Sequence, residues 1–168
     1  KTEVEKLLFE KGMDDVEGMI ISSGAQASMP HHKGSGAILP NRSIICDLFF
    51  RNRSNRYFAD MTRTYVKGTP SKKLKSMYEA VRLAQDAAFA AIRPGVPAKQ
   101  VFEASATAIR EAGFDVGDKG YIHSLGHGLG LELHEALSAG PNSKDVLEIG
   151  NVLTVEPGLY YSDEGGVR

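Results

Sequence analysis

The residues with the most chemistry in them lie between His123 and Glu135, where three of the five histidines stand among three glycines. A helix would set His123 and His127 one turn apart. Gly126, Gly128 and Gly130 would each weaken that helix by about 1 kcal/mol relative to Ala, so strand and turn fit better. In an extended Leu129–His134 segment, Leu131 and Leu133 face one way while Glu132 and His134 face the other, aiming His134 at a polar surface. The glycines let another backbone or a ligand approach closely, with His127 at the mouth of the opening. Taken alone, the stretch reads equally well as a glycine-rich hairpin with incidental histidines.

The carboxylates shift that balance. Asp47 interrupts the apolar run Ile44–Phe50, Asp60 stands between Phe58-Ala59 and Met61, and Glu156 ends Val152-Leu153-Thr154-Val155 just before Pro157-Gly158. Ionised carboxylates are rarely buried unless paired or bound to a metal. A turn-facing Asp47 and an Asp60 paired with Arg63 would explain either acid singly, but not both together. Two Asp, one Glu and one imidazole form an oxygen-rich set that suits Mn²⁺, Co²⁺, Fe²⁺ or Zn²⁺ better than a thiolate site would. Other motifs fail: His134-Glu135-Ala136-Leu137-Ser138 is not a zincin HExxH, and Gly126-x-Gly128-x-Gly130 lacks the spacing of a dinucleotide loop.

The elements that must hold these residues follow from pattern. Thr2–Lys11 reads as an amphipathic helix ended by Gly12, and Gly18–Ser23 as a buried strand followed by a polar loop that holds Pro30-His31-His32. Ile44–Phe50 and Tyr57–Val66 read as a hairpin joined through Arg51–Arg56. Thr69-Pro70 is the expected opening of a long helix with Leu74, Met77, Tyr78, Val81, Ala88 and Ile92 on one stripe, stopped by Pro94-Gly95. Pro97 opens the next helix, with Val101, Ala104, Ala108, Ile109 and Ala112 at helical spacing up to Gly113. The remainder returns to strands, including Val152–Val155 and Leu159–Tyr161. This order has no regular βαβ alternation, so it predicts an α+β architecture with helices on one side of an antiparallel sheet.

At 168 residues the chain suits one domain with a substantial core. A net charge of −1 with 42% apolar residues argues against a nucleic-acid binder that relies on a basic surface. The single cysteine, Cys46, cannot form an internal disulfide. No apolar run approaches the roughly 18 residues that would span a bilayer, and the first residues lack a signal-peptide core, so the cytoplasm is the expected location. The first residue is not Met and the last follows Gly165-Gly166-Val167, so both ends are expected to be cuts.

The ordered combination of Pro30-His31, Asp47, Asp60-Met61-Thr62-Arg63-Thr64, His123-Ser124-Leu125-Gly126-His127-Gly128, His134-Glu135 and Val155-Glu156-Pro157-Gly158 resembles the metallopeptidases of the methionine aminopeptidase and prolidase superfamily, the Xaa-Pro dipeptidases most of all. The resemblance runs from about Gly18 to Arg168. It implies the pita-bread fold, a curved antiparallel sheet flanked by helices and built from two related halves, over residues 18–168, with residues 1–17 as a linker helix from an upstream domain.

It further implies two divalent metal ions, with Asp47 on one, His127 on the other, and Asp60 and Glu156 in bridging or shared ligation. His31, His123 and His134 would line the site and contact substrate. A bridging water would then attack the Xaa-Pro bond of a proline-containing peptide. An aminopeptidase of the same fold, or a metal-free binding module that kept it, are the alternatives. No nucleic acid or membrane is implied, and a homodimer is compatible with the pattern.

Three departures from that pattern stand out. Asp60 lies thirteen residues after Asp47, two more than in many members, which places the extra length at Arg51–Arg56. Ala136, Leu137 and Ser138 replace the proline and basic residue that commonly follow His134-Glu135, which leaves recognition of a substrate carboxylate open. In the family Gly165-Gly166-Val167-Arg168 would continue into Ile-Glu-Asp, whose Glu is a fifth ligand.

Overall fold

A computed structural model describes residues 1–15 and 17–168; Val16, within the stretch expected as a linker, lies outside the described residues. Strand β3 (Ser43–Asn52) is the axis of the main sheet. Strands β1 (Met13–Asp14) and β2 (Ile20–Ser23) pair with one side of it and β4 (Phe58–Val66) with the other, all antiparallel. Its β-branched and aromatic residues suit a pleated, half-buried surface. The expected hairpin is present, with its first strand longer than predicted and its second starting one residue later, at Phe58. Arg51 and Asn52 belong to β3 because Asp14 and Met13 pair with them.

Helix α1 (Thr2–Glu10) precedes β1, and a short 3₁₀ turn, Gly24–Ser28, follows β2 where only loop was expected. Helix α2 (Lys72–Ala91) is capped by Ser71, whose Oγ accepts from Leu74 N at 2.9 Å. The cap thus lies two residues later than the predicted Thr69-Pro70 opening, while the amide of Thr69 is held by Asn41 Oδ1 in the approach to the helix. Such a cap contributes about 1 kcal/mol. Tyr78 leaves the predicted stripe and is exposed; Leu74, Met77, Ala80, Val81, Ala84 and Ala88 form the buried face. In α3 (Ala98–Glu111) Phe102, Ser105 and Ala106 are buried, and Ala112 is exposed rather than on the stripe.

Two short ladders complete the fold: β5 (Gly126–Gly128) with β6 (Glu135–Ala139), and β7 (Leu159–Tyr161) with β8 (Gly165–Val167). Leu129–His134 is a series of bends, not the extended segment predicted, and Leu131 is exposed. Val152–Val155 forms no strand of its own, with one bridge, Leu153 to Gly128. It nonetheless runs beside β5, with Thr154 N donating to His127 O (2.9 Å) and Glu156 N to Leu125 O (2.8 Å). Gly126 permits this closeness, since a Cβ there would fall 1.9 Å from Thr154 O.

Two apolar clusters result. The larger packs α2 and α3 against Tyr121, Leu125, Ala139, Leu147, Leu159 and Val167. The smaller joins Ile20, Ala27, Ile45, Phe49 and Tyr160, with Leu133 against it. Leu159 and Tyr160 are adjacent in β7, so strand alternation turns one into each cluster.

Candidate metal centre

The β3–β4 register sets the acidic side. Asp47 lies opposite Thr62 and Phe49 opposite Asp60, so Asp47, Asp60, Thr62 and Thr64 project from one face of the hairpin. From the other side, β5 presents His127 and the segment beside it presents Glu156. His127 Nε2 stands 3.4 Å from Asp60 Oδ2 and 3.3 Å from Glu156 Oε1. One ligand atom from each of the three lies within 4.8 Å of the others.

Several bonds prepare this triad for a cation. His127 Nδ1 is 2.9 Å from Gly128 O. A carbonyl only accepts, so Nδ1 carries the proton, as it commonly does in a metal-binding histidine, and Nε2 is directed at the acids. The Thr154 hydroxyl accepts from His127 N (3.0 Å) and donates to Glu156 Oε1 (2.8 Å), tying the two together. Burial lowers the affinity of His127 for a proton, but hydrogen bonds to Asp60 and Glu156 outweigh it and push its pKa up to about 10. Burial raises Glu156, yet His127 and Arg168 hold it below the ordinary carboxylate range.

Asp47 stands slightly apart. It is 5% exposed; Oδ1 accepts from Thr62 Oγ1 at 2.7 Å and Oδ2 from an Arg168 Nη2–H. Burial raises its pKa against the lowering effects of Arg168 and Thr62. Asp47 lines the same cavity of about 370 Å³ as Asp60, His127 and Glu156. It is not one of the tight three.

His31, His123 and His134 line that cavity as well. Gly34 (φ +81) brings the His31 loop against β2, where a Cβ would fall 1.8 Å from Ile21 O. His123 is closed off: its Nδ1 donates to Ser124 O (2.7 Å), and its Nε2 accepts from the Tyr160 hydroxyl (2.9 Å). His134 is open, its ring centroid 4.0 Å from that of His127, with no ring hydrogen bond among the described residues. Burial, then the neighbouring His127, lowers its pKa.

Sequence reasoning missed Arg168, Tyr160, Thr62 and Thr154. Thr62 and Thr154 were within reach, two residues from Asp60 and Glu156 and hence on the same faces. Arg168 carried no local signal. It arrives because Gly165 and Gly166 let β8 pass under the 3₁₀ turn, where a Cβ on Gly166 would fall 2.1 Å from Ala27 O. The alternative partner for Asp60 fails, since Arg63 turns its guanidinium to Thr62 O.

The whole chain, residues 1–168, matches the model of metallopeptidase family M24, and it belongs to that family. It is 39% identical over 149 residues to the Xaa-Pro dipeptidase of Pyrococcus furiosus, covering 89% of this chain and 42% of that protein. It is 37% identical over 167 residues to the uncharacterized peptidase YqhT of Bacillus subtilis, covering 99% and 46%. The solved prolidase from P. furiosus superposes with a TM-score of 0.92 at 38% identity, covering 99% of this chain and 49% of that one. An X-Pro aminopeptidase from Thermotoga maritima reaches 0.91 at 31% identity, covering 99% and 46%. The chain therefore spans about half the length of the relatives it matches, and the α+β fold is that of the prolidases.

Proposed function

We propose that this chain carries the catalytic cavity of a metal-dependent peptidase that hydrolyses the bond before proline, in dipeptides by preference. The observation that carries this reading is the convergence of Asp60, His127 and Glu156 in a cavity that His31 and His134 also line. Asp47 and His127 would serve different ions, with Asp60 and Glu156 shared. Two divalent cations of the Mn, Co, Zn or Fe class would supply Lewis acidity and an activated water there. Residues 18–168 would form the catalytic unit, with 1–17 as linker. Among the described residues no helix is long and apolar enough to cross a membrane. A cytoplasmic location completes the proposal.

The remaining steps belong to the chain's own groups. His134, neutral and otherwise unengaged, offers an N–H to the carbonyl oxygen as charge develops on it. Thr154 keeps Glu156 and His127 aligned. Arg168 neutralises Asp47 and holds it against Thr62.

A dipeptide also needs a cation for its free carboxylate. Arg51 and Arg53 do not serve, since both turn to Asp14 at the far end of β3. Lys33 lines the cavity beside Phe49, its ammonium 5.2 Å from the ring centroid. Two of its donors reach Glu17 O and Gly18 O, and a third remains for a carboxylate.

The test compares Xaa-Pro dipeptides with their C-terminal amides in the metal-loaded, full-length protein. Wild type should cleave the dipeptide more efficiently. Lys33→Met should raise KM for the dipeptide about tenfold, the loss of one charge-assisted hydrogen bond, and leave the amide unchanged. Failure to cleave either substrate overturns the peptidase reading; equal KM changes on both overturn only the role of Lys33.

A further inference from the structure

We infer that Glu135 is a positioning residue for His134, acting as a carboxylate clamp on the loop that carries it. The inference rests on the peptidase reading for its consequence in catalysis, but its geometry stands independently.

His134 has nothing else to hold it. His127 is fixed through Nδ1 and His123 through both ring nitrogens, whereas the His134 ring makes no hydrogen bond among the described residues and only packs, tilted by 46°, against the His127 ring. Its aim is therefore set by the backbone of residues 129–134, which is neither helix nor strand. Such a loop has amides with no ladder partners, so a side-chain acceptor can fix their direction where water would leave them loose.

Glu135 supplies one. Its Oε1 accepts from Leu131 N at 2.6 Å and from Glu132 N at 3.2 Å, so a single oxygen gathers two consecutive amides, three and two residues before His134. Gly130 O then accepts from Phe58 N at 2.8 Å, which docks the clamped loop on β4, two residues from Asp60. The hairpin irregularity aims the carboxylate. Gly128 pairs with Glu135, but the next pair is His127 with Ser138, so Ala136 and Leu137 are extra on β6. Leu137 sits at φ +92, a conformation that L side chains rarely adopt. The local strain accompanies a bend that turns Glu135 back over its own loop.

Gly130 completes the device. Its φ is not in the left-handed region, so conformation does not require glycine there. A Cβ would stand 2.5 Å from Glu135 Oε1 and 2.7 Å from Cδ and Oε2, in the place of the carboxylate. A side chain at this position would push the carboxylate out of its place on the loop.

The experiment uses the metal-loaded, full-length protein with Glu135→Ala, Glu135→Gln, Gly130→Ala and the double variant Gly130→Ala/Glu135→Ala. Hydrogen exchange at amides 131 and 132 reads the clamp whatever the substrate, and should accelerate at least tenfold in Glu135→Ala and Gly130→Ala. Cleavage of an Xaa-Pro dipeptide reads its use: kcat should fall at least tenfold in both, with KM and metal stoichiometry unchanged. Glu135→Gln keeps an acceptor oxygen and should recover most of both signals. The double variant should be no worse than either single one, because both break the same contact.

Unchanged exchange in Glu135→Ala overturns the clamp. Accelerated exchange with unchanged kcat overturns the link to His134. Loss of metal in Glu135→Ala would show that the residue supports His127 instead, which also overturns the proposal. If Glu135→Ala does not fold, Gly130→Ala carries the same decision.

Discussion

The β3–β4 hairpin and the His123–Glu135 segment face each other across one cavity and position their side chains by opposite means. In the hairpin an unbroken ladder from Ser43 opposite Val66 to Arg51 opposite Phe58 fixes the direction of every residue, and Asp47 and Asp60 inherit theirs from it. In the segment only Gly126–Gly128 and the terminal Glu135 are strand, and each histidine is held by its own local bonds, or, for His134, by a neighbour's. A ladder spreads the cost of holding a charged group over many backbone bonds. A glycine-rich loop concentrates it in one or two contacts. Asp47 and Asp60, two of the acids that would carry the ions, thus sit on the rigid side, while the looser segment holds both a ligand, His127, and the donor that must meet a changing substrate, His134.

The comparison is broken most severely by removing an acid from the rigid side. Asp60→Asn should leave the hairpin folded, since its ladder needs no side chain, and should abolish both metal retention and activity. The loss should exceed the 10²- to 10³-fold that a single missing donor typically costs. Metal analysis of the dialysed variant decides: full occupancy would show that Asp60 is not a ligand.

His134→Ala on the adjustable side should lower kcat by about 10² to 10³, on the order of 3 to 4 kcal/mol, with metal occupancy intact. If occupancy falls in parallel, His134 is a ligand and not the donor to substrate.

The smallest effect sharpens the contrast. Thr64 Oγ1 accepts from Arg168 N at 3.0 Å and donates to Arg168 O at 2.9 Å, so it pins the backbone of Arg168 to β4. Thr64→Val should cost about 1 to 2 kcal/mol in denaturant unfolding, the usual net worth of two hydrogen bonds, and leave the register of Asp60 untouched. A larger loss accompanied by loss of metal would mean that the hairpin depends on this pin.

What was legible in the sequence divides along the same line. β-branched and aromatic residues announced the hairpin, which is local information, but the shared face of Asp47 and Asp60 follows from the cross-strand register. Glu156 was legible as an acid closing an apolar run, although the run proved to be a half-buried companion of β5 rather than a strand, with Val152 exposed. The direction of His134 was not legible. It depends on a bulge at Ala136-Leu137 and on a carboxylate reaching back across four residues, and neither has a periodic signature. The cap of α2 was misplaced because Thr69 and Ser71 are both good capping residues, and it is the Ser71 hydroxyl that meets the first-turn amide of Leu74. Arg168 is the extreme case, a long-range ion pair with Asp47 created by the approach of β8.

Strand β7 carries a consequence for cooperativity. Two apolar clusters in one chain would ordinarily be free to open one after the other, each with its own transition. Here Leu159 belongs to the helical cluster and Tyr160, the next residue, to the sheet cluster, while β8 places Val167 in the first and leads straight into Arg168 beside Asp47. Neither cluster can come apart without pulling on the same two short strands. The chain is therefore built to melt as one unit, and the cavity loses its geometry in the same event that releases α2 and α3.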